Sequence, residues 1–243
     1  MPLQTLEPQR LYRQIAGQLR TLIGKGEYKA GARLPAERDL ARQMGVSRPS
    51  VREALIALEV GGLVEVRIGS GVYVLERPPA PAPVAALPED SGPFELIAAR
   101  SLVESECAAL AAKHATRTQV RAIEEALDHM AAEHERGVMP LGADREFHLR
   151  IAEASGNSAL GLVVRTLWEQ RTGPLFRRLE HHYDTPTLWQ VALREHRQIV
   201  AAIARHDTAG ARSAMRRHMN QSAKRFSASW DQGEKAWKKK STS

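Results

Sequence analysis

A proline-rich stretch, RPPAPAPVAALPEDSGP, divides the 243-residue chain at residues 77–93. It holds six of the thirteen prolines of the chain. Proline lacks a backbone N–H and fixes its own φ, so this density excludes helix interiors and favours an extended chain. We therefore predict an interdomain linker here, with a long structured loop as the alternative. The flanking segments are then a domain at 8–76, a second domain at 94–230 and a basic tail at 231–243.

Four short patterns follow one another before the linker. RLYRQIAGQLRTLIGKGEY is an amphipathic helix that ends near Gly24–Gly26. PAERDLARQMG is a short helix that Gly45 stops, and SRPSVREALIALEVGG is a third helix with Ser47 as its N-cap and Pro49 in its first turn. LVEVRIGSGVYVL alternates as two short strands around a glycine turn. This order of elements predicts a winged helix-turn-helix domain.

The positive charge of the chain is concentrated in this first segment. The formal net charge is +7. Residues 1–77 hold twelve Lys and Arg against eight Asp and Glu, residues 78–230 hold nineteen against eighteen, and residues 231–243 hold four against two. A basic first third beside a nearly neutral middle favours double-stranded DNA as the partner of the first domain.

The candidate DNA contacts lie on the second and third helices and on the hairpin. Arg48 and Arg52 are four residues apart near the start of the third helix, so we expect both to project from one face toward guanine edges. Arg38, on the preceding helix, can meet a phosphate or a base edge. A solvated helix with ordinary arginines is the alternative. Two hydroxyls and two positions of the hairpin complete the set: Ser47, Ser50, Arg67 and Gly69.

The stretch RLPAERDLARQMGVSRPSVREALIALEVGGLVEVRIGSGVYV resembles the N-terminal domain of the GntR superfamily of bacterial transcription regulators. The resemblance implies that Arg38, Arg48 and Arg52 are operator-contacting arginines. Ile68 departs from the polar or basic residue often found at the tip of the wing in that family, which puts a base contact from the wing in doubt.

The segment after the linker is helical throughout. Helical periodicity covers about 94–115, 117–136, 141–155, 158–181, 187–206 and 208–230. We therefore predict a mainly α protein, in which a winged helix-turn-helix is followed by an all-α antiparallel bundle of about six helices.

Polar side chains interrupt the apolar faces of three of these helices. In DREFHLRIAEASGN, Asp144 and His148 lie four residues apart on a face shared with Phe147. His196 and His218 lie in two further helices among apolar neighbours. Burying unpaired polar groups is expensive, so either neighbouring side chains hydrogen-bond to them or a bound ion does. Imidazole and carboxylate together suit a divalent transition metal such as Zn, Ni or Mn.

A second resemblance covers about 94–228. The pattern D-x-x-F-H followed by IAEASGN, then EHRQIVAAI and ARSAMRRHM, resembles the FCD effector-binding domain of the FadR subfamily. It implies a divalent metal held by Asp144, His148, His196 and His218. Four protein ligands leave one or two positions on an octahedral ion for a carboxylate or hydroxyl of a ligand.

The same resemblance implies residues that bind an effector. Arg100, in FELIAARSLVESECAALAA, matches an arginine that clamps an effector carboxylate in the family, and a planar guanidinium suits that task. The alternative is a surface arginine paired with Glu104. LWEQRTGPLFRRL and TPTLW resemble the hexuronate- and galactonate-responsive branch, which implies sugar contacts from Arg171 and Trp189. Core packing of Trp189 is the alternative.

Together these features imply a cytoplasmic transcription regulator, a repressor rather than an enzyme. We expect a homodimer that binds a palindromic operator and a small carboxylate effector such as a sugar acid. The chain shows no apolar run near the roughly 18 residues of a membrane span and no signal peptide, and its single cysteine, Cys107, fits a reducing compartment. A metal-dependent enzyme and a metal sensor are the alternatives. Against an enzyme, Glu146 and Glu153 fall off the face of Asp144 and His148.

Overall fold

The computed structural model describes residues 10–75, 91–183 and 186–241, with helix backbone alone at 183, 186 and 228–241. The predicted linker therefore lies largely outside the described residues, and its last residue, Pro93, begins a helix. The described residues divide into two compact units. One unit runs up to Phe94 and includes Pro174–Leu179 and the chain from Ala228 onward, and the other comprises Glu95–Gly173 and Glu180–Ser227.

The first unit begins with three helices and a two-stranded antiparallel hairpin, the order predicted for a winged helix-turn-helix. Val64 pairs with Val74 and Arg67 pairs with Gly71, so residues 68–70 form the tip of the wing. The elements are α1 (Leu11–Gly24), α2 (Glu37–Met44), α3 (Arg48–Val60), β1 (Val64–Arg67) and β2 (Gly71–Val74).

Local sequence fixes the turn between α2 and α3. Gly45 ends α2 with φ at +65°, a conformation that glycine adopts without strain. The Ser47 side chain accepts a hydrogen bond from the backbone N–H of Ser50 at 3.3 Å, and Pro49 lies in the first turn of α3, where its missing N–H is tolerated. The start of α3 is thereby held in place. Apolar side chains of the helices and strands pack beneath it: Tyr12, Leu19, Leu40, Leu55, Val64 and Val72.

Beyond Pro93, the described chain is helical. None of the described helices combines the length and the apolarity needed to cross a membrane. The fold class, mainly α with one small hairpin near the N-terminus, is confirmed for the described residues. The elements are α4 (Pro93–His114), α5 (Arg117–Glu135), α6 (Leu141–Ala154), α7 (Ser158–Glu169), α8 (Pro174–Tyr183), α9 (Pro186–Ala204) and α10 (Thr208–Ser241).

Two helix boundaries differ from the sequence prediction. The pattern at 158–181 forms two helices, because Gly173 is extended with ψ at 153° and Pro174 starts a new helix at its N-terminal position. A short 3₁₀ turn at Gln170–Thr172 joins Gly173 to α7. The predicted helix end near residue 230 is also absent, since the backbone of α10 continues helically to Ser241.

Helix α6 carries the buried polar stripe that the sequence singled out. Its inward face holds Asp144, Phe147, His148 and Ile151, all buried. α6 packs against α5 on one side and α7 on the other. The helical spacing of four therefore places a carboxylate and an imidazole together in the interior of the second unit.

Candidate metal centre and nucleic-acid interface

The N-terminus of α3 presents a polar surface. The Ser47 and Ser50 hydroxyls are 2.8 Å apart, and backbone N–H groups at the start of a helix favour anions such as phosphate. Arg48 is partly exposed and donates from Nε to Glu37 of α2 at 2.9 Å. Arg38 is more exposed, and its nearest acidic neighbour is Asp39 at 3.8 Å. These side chains lie on α2 and at the start of α3, and their contact with DNA stays a prediction.

Arg52 differs from that expectation. Its residue exposure is 1%, and it donates to Glu37 from Nε at 2.8 Å and from Nη2 at 2.7 Å. Arg48 and Arg52 lie on one face of α3, as their spacing of four predicts. Both donate to the carboxylate of Glu37, which is buried, and Arg52 is buried with it. In this conformation only Arg48 of the pair is presented to solvent.

The wing carries one cation and one exposed apolar side chain at its tip. Arg67 donates to Glu65 at 2.7 Å, and its guanidinium carbon lies 4.6 Å from the centre of the Tyr73 ring. Gly69 has φ at +80°, which a glycine accommodates at a tight turn. Ile68 is 47% exposed, so the tip offers an apolar group to whatever approaches it.

In the second unit, four predicted ligands converge. Their residue exposures lie between 0% and 6%, and one ligand atom from each lies within 4.8 Å of the others. Three helices contribute, with two ligands on α6 and one each on α9 and α10. The four residues are Asp144, His148, His196 and His218.

The carboxylate of Asp144 is the centre of this cluster. Its Oδ1 lies 3.3 Å from Nε2 of His196 and 3.6 Å from Nε2 of His148. Both ring nitrogens are buried and make no hydrogen bond of good geometry. Buried polar atoms without partners are costly, and a cation coordinated by these nitrogens and by Oδ1 would supply the missing interaction. The donor set of three imidazoles and one carboxylate fits a divalent transition metal.

Electrostatics keep most of these groups in the form that binds metal. Burial opposes ionisation of Asp144, but His148 and His196 outweigh it and hold its pKa well below the usual range. Burial lowers the pKa of His196 and of His218, which favours the neutral rings that can bind a metal. Burial also acts on His148, but Glu104 and Asp144 outweigh it and raise its pKa, so a metal competes there with a proton.

Glu104 lies beside the cluster and was not predicted as part of it. It is 1% exposed, accepts from Nε of Arg100 at 2.6 Å and contacts Nδ1 of His148. The alternative to an effector role for Arg100 was an ion pair with Glu104 on the surface. The pair exists, but Arg100 is only 3% exposed and belongs to the interior of the second unit.

Arg171 also joins the cluster. It donates from Nη1 to Oδ2 of Asp144 at 3.1 Å and contacts Glu180 through Nη2. Trp168 takes the aromatic position: its ring centre lies 3.9 Å from the guanidinium carbon of Arg100 and 4.3 Å from that of Arg171. Two guanidinium groups on one indole, beside the carboxylate of a candidate metal ligand, suit an anionic ligand.

Trp189 is not placed in this group. It is buried in α9, two helical turns before His196, and its indole N–H has no partner among the described residues. Trp168 instead lies 5.2 Å, centre to centre, from the ring of His148. The sequence LWEQR could have indicated the role of Trp168, because Trp168 and Arg171 are three residues apart and share a helical face.

Glu195 and Arg225 are the other residues that sequence reasoning missed. Glu195 Oε2 lies 2.8 Å from Nδ1 of His218, and its Oε1 accepts from Arg225 at 2.7 Å. Glu195 precedes the buried His196 in the sequence, which could have indicated a role near the cluster. In the structure it contacts His218 of α10 and not its neighbour His196.

Two family models match the chain. The model of the gntR family of bacterial regulatory proteins matches residues 11–74. The FCD domain model matches residues 95–221, which include all four candidate metal ligands.

Curated relatives cover most of the chain. The Uxu operon transcriptional regulator of Escherichia coli K12 is 41% identical over 218 residues, which are 87% of this chain and 84% of that protein. The Exu regulon transcriptional regulator of the same strain is 39% identical over 226 residues, 89% of this chain and 84% of that one. Among solved structures, E. coli McbR/YncC aligns with a TM-score of 0.50 at 24% identity over 91% of this chain and 99% of that chain, a likeness of fold alone.

Proposed function

The chain belongs to the gntR family of bacterial regulatory proteins and carries an FCD domain, and from this premise we propose that it is a repressor controlled by a sugar acid. It is a transcription regulator and not an enzyme. In the proposal, a homodimer binds a palindromic operator in the cytoplasm. A hexuronate or a related sugar acid binds at the metal centre of the FCD domain and lowers operator affinity.

The observation that carries the effector proposal is the charge around the four ligands. Within the described residues, a network of four carboxylates and three guanidinium groups surrounds the three histidines, and its ion pairs form separate sets that end at His148, Asp144 and His218. With neutral imidazoles, the network carries a net charge of −1, and a divalent cation brings it to +1. A ligand with a single carboxylate then neutralises a buried positive charge, which favours a monoanion over a neutral sugar. The members are Glu104, Asp144, Glu180 and Glu195 with Arg100, Arg171 and Arg225.

Separate groups in this network suit separate parts of a sugar acid. A divalent metal held by Asp144 and the three histidines would supply open positions for the carboxylate and an adjacent hydroxyl. Arg171 can donate to the same carboxylate while it holds Asp144 and Glu180, and the face of Trp168 can pack against the sugar ring. Arg100 remains a candidate for a further contact, through donors beyond those that hold Glu104.

The ligand acts on DNA through a difference in affinity. A sugar acid lowers operator binding only to the extent that it binds the DNA-free conformation more tightly than the DNA-bound one. Arg48, with Ser47 and Ser50, supplies the operator contacts of α3 in this proposal. Arg38 and Arg67 supply contacts on either side of it.

The homodimer is supported by exposed apolar side chains of the second unit. Leu162 is 65% exposed and Val163 is 42% exposed on α7, and Leu102 is 67% exposed on α4. Leu162 and Val163 are consecutive on α7. We assign this apolar surface of α7 to the contact with a second copy of the chain, since a palindromic operator needs two reading domains.

A thermal-shift screen tests the effector proposal. Metal-loaded protein is heated with glucuronate, galacturonate and galactonate, and with glucose and galactose as neutral controls of the same size. The proposal expects one or more acids to raise the unfolding temperature and the neutral sugars to leave it unchanged. If a neutral sugar stabilised the protein as strongly as its acid, the charge argument would fail. Operator release by metal alone would instead favour a metal sensor.

A further inference from the structure

Two of the three candidate histidine ligands share one arrangement. A carboxylate contacts Nδ1 of the ring, and an arginine holds the other oxygen of that carboxylate. The arrangement occurs on different helices and with residues far apart in the sequence. The two sets are Arg100–Glu104–His148 and Arg225–Glu195–His218.

The set around His218 links α9 to α10. Oε2 of Glu195 lies 2.8 Å from Nδ1 of His218, and Oε1 accepts from Nη1 of Arg225 at 2.7 Å. The Glu195 side chain is 16% exposed and that of Arg225 is 15% exposed, so the pair lies at the edge of the interior. Both carboxylate oxygens are engaged, and the carboxylate cannot rotate away without losing one of its contacts.

The set around His148 links α4 to α6. Oε2 of Glu104 lies in ion-pair contact with Nδ1 of His148, although the two groups are not aligned for a hydrogen bond, and Oε1 accepts from Nε of Arg100 at 2.6 Å. The side chains of Glu104 and His148 are almost fully buried. Nε2 of His148 faces Oδ1 of Asp144 at 3.6 Å, so Glu104 lies on the side of this ring that is opposite to the centre of the cluster.

We propose that Glu104 and Glu195, here called the outer carboxylates, position His148 and His218 for the metal by binding Nδ1 and leaving Nε2 free to coordinate it. A carboxylate at Nδ1 fixes the proton on that nitrogen, so the lone pair is on Nε2. It also makes the ring a stronger donor to the ion. This inference rests on the metal centre of the proposed function.

The other two candidate ligands, Asp144 and His196, do not contact the outer carboxylates in this way. Oδ2 of Asp144 is held by Arg171, which leaves Oδ1 facing the histidines. Nδ1 of His196 is buried and has neither a hydrogen-bond partner nor a carboxylate in ion-pair contact among the described residues. The outer carboxylates thus act on His148 and His218 alone, and substituting them should affect metal affinity through those two rings.

Metal affinity measured against a fluorescent chelator tests the role directly. Zn²⁺ is titrated into the full-length wild type and the variants Glu195→Ala, Glu195→Gln and Glu104→Gln. We expect Glu195→Ala to weaken Zn²⁺ binding by about 10–100-fold. Glutamine keeps an acceptor without the charge, so Glu195→Gln should fall between alanine and the wild type.

A matched control separates positioning from general damage. Glu106→Ala breaks the bidentate pair between Glu106 of α4 and Arg212 of α10, which has contacts of 2.8 Å and touches none of the four ligands. Its Zn²⁺ affinity should equal that of the wild type. Binding of Co²⁺ adds a readout that loss of stability does not produce, because the visible spectrum of the bound ion reports its ligand geometry. We expect an altered spectrum in Glu195→Ala and an unaltered one in Glu106→Ala.

The possible outcomes distinguish this inference from the proposal beneath it. If the wild type bound neither Zn²⁺ nor Co²⁺, the metal centre itself would be wrong. If the wild type bound both, and Glu195→Ala and Glu104→Gln matched it in affinity and spectrum, the positioning role alone would be wrong. If Glu195→Ala does not fold, the isosteric Glu195→Gln and Glu104→Gln variants decide the question by the same two readouts.

Discussion

Arg171 donates to Oδ2 of Asp144 at 3.1 Å, while the other oxygen of that carboxylate faces the ring of His196. The carboxylate is thus shared between a fixed guanidinium and the position where the ligand atoms converge. A metal can coordinate Oδ1 without displacing Arg171. An effector carboxylate that reaches the metal would then lie next to a guanidinium that is already in place.

Replacing Arg171 should separate metal binding from effector binding. Arg171→Met removes a positive charge beside Asp144 and Glu180, so Zn²⁺ should bind at least as tightly as in the wild type, by Coulomb's law. Binding of the sugar acid should weaken at least about tenfold, the order expected when a charge-assisted hydrogen bond is lost. Calorimetry with the metal and then with the acid measures both.

Arg165→Met is the matched control for this split. Arg165 is an exposed arginine of α7 whose partner is Glu153 at 3.4 Å, outside the metal cluster. It should leave both affinities unchanged. Full effector affinity in Arg171→Met would show that Arg171 is a structural residue only.

The two arginines of α3 should behave differently when replaced. Arg48→Ala removes a partly exposed guanidinium at the start of α3 and should weaken operator binding by about 1–3 kcal/mol, with a smaller effect on stability than Arg52→Ala. Arg52→Ala leaves the carboxylate of Glu37 without its buried partner and should lower the free energy of unfolding by about 3 kcal/mol. Fluorescence anisotropy with labelled operator and urea denaturation measure the two effects.

Random-sequence DNA and Arg117→Ala serve as controls for the operator measurement. Arg117 is exposed at the start of α5 in the second unit, so its loss tests for a general effect of charge. An equal loss of affinity for operator and random DNA in Arg48→Ala would limit Arg48 to phosphate contact. A fully stable Arg52→Ala protein would contradict the structural role of Arg52.

The apolar surface of α7 should hold the dimer together. Leu162→Glu places a charge on a side chain that is 65% exposed in the single chain, so it should not disturb the fold but should prevent close contact with a second copy. Sedimentation velocity should then show a monomer with unchanged helix content. Glu169→Gln, at the exposed end of the same helix, should remain a dimer. A dimeric Leu162→Glu protein would place the contact elsewhere.

The stability of the metal-free protein should depend on the ionisation of Glu104. Burial raises the pKa of Glu104, but Arg100 and His148 outweigh it and bring it to about 2, below the ordinary 4.5. Because the folded pKa is the lower one, this stabilisation is complete above the unfolded value and is lost as the pH falls toward the folded value.

Glu104→Gln removes the titrating group and makes this effect measurable. The difference in unfolding free energy between the wild type and Glu104→Gln should shrink by about 2 kcal/mol between pH 6 and pH 3, as one pKa unit corresponds to about 1.4 kcal/mol. Urea denaturation in the presence of a chelator measures it. A difference that stayed constant over this range would show that Glu104 has the same pKa in the folded and unfolded chain.

Sequence patterns predicted the winged helix-turn-helix because its signals are local. Ser47, Pro49 and Gly45 each act within one turn of chain, and the hairpin follows from alternation around a glycine turn. The four candidate ligands were also accessible, because helical spacing shows which face of each helix is buried. The resemblance to the FCD domain then implied that these four residues bind one metal.

The surroundings of the cluster could not be predicted in the same way. Which helix packs against which ring depends on tertiary packing, so the sequence does not show that Glu195 contacts His218 instead of its neighbour His196. The burial of Arg52 depends likewise on Glu37, fifteen residues away. The helix break at Gly173–Pro174, by contrast, could have been predicted, because glycine followed by proline is a local signal. The apolar periodicity on both sides of these residues suggested one continuous helix instead.

Operator release in the presence and absence of metal tests the central claim most directly. Labelled operator is bound to the metal-loaded wild type, to chelator-treated protein and to the His196→Ala/His218→Ala double variant, and a hexuronate is then titrated into each. We predict that the acid releases the operator from the metal-loaded wild type and leaves the other two complexes bound. Equal release from all three at the same acid concentrations would contradict a metal-centred effector site.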